Sequence, residues 1–138
     1  MAALPDLIAA ELVAAWNAHD SDHLEALYAA TYEGTDVGDT APIRGPAGAR
    51  RAVERYLRAF PDLHLTLERS VTDSGQVALF WTARGTHRGP LLHIPPTGRF
   101  VAVRGSSLLA VQDSRITSGL HIWDVAGLLR TLGLLPEL

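Results

Sequence analysis

Pro61 separates two hydrophobic rhythms, and that change points the chain toward helices first and strands after. Before it, apolar residues recur every three or four positions: Leu4, Ile8, Leu12 and Trp16, then Leu24, Leu27 and Tyr28, then Val53, Tyr56, Leu57 and Phe60. Each set makes one face of a helix. Asp6 is a candidate cap for the first helix, and His19-Asp20-Ser21-Asp22 breaks it and offers caps for the second. Tyr32 to Val37 reads as a short strand, and Gly38 to Pro46 as a loop. After Pro61, Leu63, Leu65 and Leu67 alternate with His64, Thr66 and Glu68, the period of a strand with one apolar face. Further strands are predicted over 76–85, 100–111 and 116–123, with turns at Asp73-Ser74-Gly75 and Asp113-Ser114-Arg115 and a terminal helix over 128–134. Helices followed by an antiparallel meander define an α+β domain, with helices on one face of a curved sheet.

The 138 residues carry no linker, repeat or low-complexity segment, so residues 1–138 are expected to form a single domain. A net charge of −3 with no basic run excludes a nucleic-acid footprint. Arg50, Arg51, Arg55 and Arg58 have the spacing of one wet helix face. The absence of cysteine removes disulfides, thiol nucleophiles and thiolate metal sites. No apolar stretch approaches the roughly 20 residues that span a bilayer, and no signal peptide is recognisable, so a cytoplasmic protein is expected. No GxGxxG, P-loop or GxSxG motif is present, and His87, His93 and His121 match no zinc spacing. Neither a cofactor nor a metal is therefore expected.

Several strands are apolar on both faces: Ala78 and Phe80 interleave with Val77, Leu79 and Trp81, and Ala102 with Val101 and Val103. One face must pack on the helices. The other implies either a sheet curved around a ligand cavity or a homodimer interface.

Trp16-Asn17-Ala18-His19-Asp20, Ala59-Phe60-Pro61-Asp62-Leu63, the run from Trp81 to His87, Ile94-Pro95-Pro96-Thr97-Gly98-Arg99 and the run from Ile122 to Gly133 resemble the SnoaL-like polyketide cyclase family, of the nuclear-transport-factor-2-like type. The resemblance implies a cone-shaped, strongly curved antiparallel sheet wrapped around three N-terminal helices and enclosing an apolar cavity. It also implies cofactor-free chemistry on an apolar, polycyclic, polyketide-like substrate: aldol-type cyclisation, isomerisation or ring opening, with an aspartate as general acid/base. Relatives on this fold also assist hydroxylation, so the alternative is a non-catalytic binding or accessory protein working with a reductase or oxygenase. The Arg-x-Asp element of epoxide hydrolases of this fold is not apparent.

Asp124 is the first catalytic candidate. It follows an apolar strand, where desolvation would raise its pKa toward use in proton transfer; the other reading is an N-cap for the terminal helix. The family spaces this region as Trp-x-x-x-Asp-x-x-Gly, whereas Trp123 and Asp124 are adjacent here, so only alignment on Gly127 equates Asp124 with the family's aspartate. His121 is a second member of a proton relay or a packed histidine. Asp36, at a strand end, is a second carboxylate candidate. Trp16, Tyr32, Tyr56, Phe80 and Trp81 either stack on an aromatic ligand or fill the core. Asn17 either donates to a ligand carbonyl or caps the first helix. His87 and His93 flank a Gly/Pro-rich connection that would rim the pocket, and His64 faces pocket or surface according to sheet curvature.

Overall fold

The computed structural model describes residues 4–137. Helix α1 (Pro5–Asn17) starts with Pro5, whose missing N–H costs nothing in a first turn. Asp6 lies in that turn but makes no capping bond; Leu4 occupies the cap position. Ile8, Ala9, Leu12 and Ala15 form its buried face. Asp20 does cap α2 (Ser21–Ala26), accepting the His23 N–H at 3.0 Å. Helix α3 (Gly45–Ala59) again opens on a proline and ends just before Pro61.

Strand β1 (Tyr28–Asp36) begins four residues before its expected start at Tyr32. Tyr28 belongs to this strand instead of α2, because α2 stops at Ala26 and Tyr28 and Tyr32 both turn into the core. Within the expected loop, a two-residue strand β2 (Ile43–Arg44) pairs with Glu33 and Gly34. The long strands match the alternating pattern: β3 (His64–Asp73), β4 (Gln76–Thr86), β5 (Phe100–Gln112) and β6 (Arg115–Trp123). Left-handed pairs at Ser74-Gly75 and Asp113-Ser114 make the two tight hairpins, a twist that suits two-residue connections. Helix α4 (Val125–Thr131) starts earlier than its apolar run suggests, because Asp124 caps it.

The six strands form one curved, unclosed sheet in the order β2-β1-β6-β5-β4-β3. Its pairs are antiparallel except β1 with β6, which run parallel. Register shifts between Leu67 and Arg69 and between Ala110 and Val111 add the local twist that bends long strands. The inner face packs on α1, α2 and α3 through Ile8, Leu12, Leu24, Val53, Val77, Leu79 and Leu109. A second cluster joins Phe60, Leu63, Leu91, Val101 and Leu128, with Trp16 and Leu57 touching both. Each such buried aliphatic or aromatic side chain contributes about 1.5–3 kcal/mol. The opposite face leaves Phe80, Leu108, Leu120 and Ile122 40–50% exposed. Phe80, expected in the core or on a ligand, is thus on the outside: alternation sends it away from Leu79 and Trp81. Among the described residues no helix is long and apolar enough to cross a membrane.

Candidate active-site cavity

A hollow lies between the concave sheet face and helices α1 and α3, with Leu91 and Leu128 at one end. It offers about 140 Å³ of room for the centres of water-sized molecules, and about 1090 Å³ of empty space when its open mouth is counted. Most of the wall is aliphatic and aromatic. Its polar groups are Asp36, Ser107, His121 and the polar tips of tyrosines and tryptophans.

Sheet register brings the polar groups together. Parallel pairing of β1 with β6 sets Asp36 opposite His121, and β5 with β6 sets His121 opposite Ser107. The Asp36 carboxylate is buried and held by three donors. The Gly38 N–H reaches Oδ1 at 2.7 Å, the Trp123 indole N–H reaches Oδ1 at 2.8 Å, and the Tyr56 hydroxyl reaches Oδ2 at 2.9 Å. Tyr56 is wedged between Trp16 and Trp123, at ring distances of 6.4 and 6.3 Å. Burial, then the negative charge of Asp36, raises the pKa of both Tyr32 and Tyr56, that of Tyr32 to about 12. Both phenols therefore remain hydrogen-bond donors at neutral pH.

Tyr32 lies over a floor of two glycines, Gly34 and Gly119, which pair across β1 and β6. A Cβ at Gly34 would sit 2.1 Å from the Tyr32 hydroxyl oxygen, and one at Gly119 would sit 2.8 Å from it and 3.1 Å from His121 Nε2. Tyr32 Oη and His121 Nε2 thus approach the same point, and neither has a hydrogen-bond partner among the described residues. The other imidazole nitrogen, Nδ1, meets Ser107 Oγ at 2.8 Å. Burial holds the His121 pKa below the ordinary histidine range, and the charge of Asp36 offsets part of that effect. The imidazole is neutral at pH 7.

Trp16, Tyr32, Asp36, Tyr56, Trp81 and His121 therefore all line the cavity. Other expected residues lie elsewhere. Asp124 is exposed, with Oδ1 accepting the Gly127 N–H at 2.8 Å, and borders a shallow depression on the outer face. Trp123 turns inward, so alternation carries Asp124 away from the hollow, and the capping bond is the reading the geometry supports. His64 is exposed on β3 opposite Arg84. Asn17 neither caps α1 nor faces the hollow: its side-chain amide pairs with both backbone groups of Leu65, at 2.9 and 2.7 Å, and ties α1 to β3. His87 is fully buried, packed on Phe60 and bound to Thr97, so it anchors the 87–99 connection from behind the cavity wall. His93 is exposed in a tight turn. That connection reaches the hollow through Leu91 instead.

Ser107 and Trp123 are functional candidates that the residue-level reading missed. A signal for Ser107 was present: it is the one hydroxyl in the inward register Val101, Val103, Gly105, Ser107, Leu109. Among the described residues no three His, Asp or Glu side chains are grouped so as to hold a metal ion.

The fold agrees with comparisons to known proteins. The pattern of the SnoaL-like polyketide cyclase family matches residues 6–132, and the chain belongs to that family. TsrD from Streptomyces laurentii is 29% identical, with 94% of this chain and 95% of that one covered and a TM-score of 0.85. IdmH from Streptomyces antibioticus, a candidate polyketide cyclase, is 28% identical over 94% of this chain and 98% of its own, with a TM-score of 0.80. AclR from Streptomyces galilaeus, a candidate hydroxylase, is 26% identical over 97% of this chain and 87% of its own, with a TM-score of 0.85. No functionally curated protein matches the chain.

Proposed function

We propose that this single-domain protein is a cofactor-independent cyclase or isomerase of secondary metabolism, acting on an apolar, polycyclic, polyketide-like substrate. The observation that carries this reading is a buried carboxylate, Asp36, facing an apolar hollow beside two polar atoms, Tyr32 Oη and His121 Nε2, that have no hydrogen-bond partner among the described residues. Asp36 would take a proton from carbon next to a substrate carbonyl. The carbonyl oxygen, gaining negative charge, would be met by Tyr32 and His121. The resulting enolate would either attack a second carbonyl in the folded substrate, whose new alkoxide takes the proton back from the Asp36 carboxyl, or, where it is conjugated with a double bond, be reprotonated at the far carbon by the same carboxyl group. The three donors on Asp36 orient it, and the wall holds the substrate folded, an effect worth up to about 7–11 kcal/mol of barrier. Turnover of a linear polyketide mimic carrying a 1,3-diketone, followed with Asp36→Asn beside the parent, tests the reading.

One observation favours a second reading. Three hydrogen bonds occupy the Asp36 carboxylate, as they would in a carboxylate that only shapes the wall of a binding protein. Asp36→Asn would then leave turnover by any partner oxygenase or reductase unchanged.

The outer sheet face further suggests a homodimer. Phe80, Ser106 and Ile122 lie side by side across β4, β5 and β6, as do Ala78, Leu108 and Leu120. Contiguous apolar side chains on an exposed sheet face are covered at a favourable gain when two copies meet.

A further inference from the structure

Ser107 Oγ has two neighbours within hydrogen-bond distance. The Trp81 indole N–H is 3.1 Å away and His121 Nδ1 is 2.8 Å away. An indole nitrogen only donates, so Oγ accepts from Trp81. Were His121 Nδ1 also to donate, the Ser107 hydroxyl hydrogen would have no acceptor, although the side chain is buried and an unused buried donor is costly. One arrangement uses every hydrogen once: Trp81 donates to Ser107, and Ser107 donates to His121 Nδ1. The imidazole proton then sits on Nε2, the nitrogen beside Tyr32 Oη. Trp81 is itself fixed, because its ring lies over Gly105, where a Cβ would come within 2.4 Å of two ring atoms.

We propose that Ser107 is a positioning residue: anchored by Trp81, it sets the tautomer of His121, so that Nε2 presents an N–H to the cavity beside the Tyr32 hydroxyl and takes a ligand's carbonyl or enolate oxygen. The inference rests on the proposed use of the cavity as a carbonyl site, and it adds a specificity rule. A ligand that presents a hydrogen-bond donor to Nε2 meets it donor to donor and is disfavoured, whereas an acceptor oxygen satisfies both the imidazole N–H and the Tyr32 hydroxyl.

The test is nitrogen-15 NMR of the imidazoles in the ligand-free protein, with His121 assigned by its loss in His121→Gln. The expected spectrum has a protonated Nε2 and a bare Nδ1 shifted by an accepted hydrogen bond. Ser107→Thr, which keeps the hydroxyl, retains both features; Ser107→Ala loses the Nδ1 hydrogen-bond shift. A proton on Nδ1 in the parent protein, or an unaltered Nδ1 signal in Ser107→Ala, overturns the proposal. A matched pair of probes, 9-fluorenone and fluorene, then reads the corner directly. Ser107→Ala is expected to weaken fluorenone about tenfold and leave fluorene unchanged; equal changes for both overturn the specificity rule. None of these measurements needs turnover. A tautomer as proposed together with a fully active Asp36→Asn would defeat the catalytic reading alone, and the reverse pair of results would defeat the role of Ser107 alone.

Discussion

Asp36 and His121 stand opposite one another on neighbouring parallel strands, so a carboxylate and a neutral imidazole from distant parts of the chain face one hollow. The pairing of β1 with β6 makes this geometry, and among the described residues no other carboxylate lines the cavity. It separates Asp36, inside the cavity, from Asp124, a helix cap outside it, and makes the two residues distinguishable by mutation.

Asp36→Asn keeps shape and the acceptor for Trp123 but removes the base, so turnover is expected to fall by roughly two to four orders of magnitude with little change in ligand affinity. Asp124→Ala should cost about 1 kcal/mol of stability through the lost cap and leave ligand binding alone. Steady-state kinetics and thermal melts on the two variants check both statements. Normal turnover in Asp36→Asn would remove it from the mechanism.

The glycine floor gives a steric prediction. Gly34→Ala places a methyl group where the Tyr32 hydroxyl now lies, 2.1 Å from its oxygen. The phenol must shift, at a cost of about 1–3 kcal/mol, typical of overpacking a filled site. Gly48, inside α3, is the contrasting case, since a Cβ there meets its nearest neighbour at 3.5 Å. Gly48→Ala should stabilise the protein by about 0.5–1 kcal/mol. Opposite signs in chemical denaturation support the packing described; a neutral Gly34→Ala contradicts it.

Stability should depend on pH through two histidines. Burial holds both His87 and His121 below the ordinary value of 6.5 that they recover on unfolding. Below 6.5 and down to the depressed values, the unfolded chain binds more protons than the folded one, so stability falls as pH falls through that window and is fully present above it. Melting temperature is expected to be flat from pH 7 to 8 and to drop between 6.5 and 5, with a shallower drop in His87→Gln. Asp62, held below the carboxylate range by the Thr86 N–H and hydroxyl, adds its own loss only at more acid pH. A melting temperature unchanged between pH 7 and 5 would contradict the assignment.

Phe80→Glu with Ile122→Glu puts two charges into the exposed apolar face without touching the cavity wall. Sedimentation is expected to show a dimer for the parent and a monomer for the double variant, with circular dichroism unchanged. A monomeric parent would remove the dimer proposal.

Much of this architecture was legible in the residues. The change of period at Pro61 announced helices followed by strands, and the long strands start and stop within a residue or two of their alternating runs. Tyr28 was misplaced because an aromatic next to Leu24 and Leu27 continues a helical face equally well, and only the short length of α2 decides for β1. The site was harder. Local pattern shows which face a side chain occupies, not which strands become neighbours, and the parallel pairing of β1 with β6 leaves no local trace. Asp124 drew attention through its apolar neighbours, but only Trp123 turns inward, while Ile122 and Asp124 stay on the outside. Asp36 carried no such signal, because its burial comes from Tyr56 and Trp123, residues remote in sequence.

The parallel union of β1 with β6 also sets an order of events during synthesis. Asp36 leaves the ribosome early, but Trp123, one of its three donors, follows 87 residues later. Closing so long a loop is slow compared with forming the local hairpins β3–β4 and β5–β6. Until then the apolar wall stands open at the seam where the free edge of β6 will dock on β1. Vulnerability to aggregation is therefore concentrated in the interval before that docking, and the buried Asp36 carboxylate gains its Trp123 donor in the same step that removes the hazard.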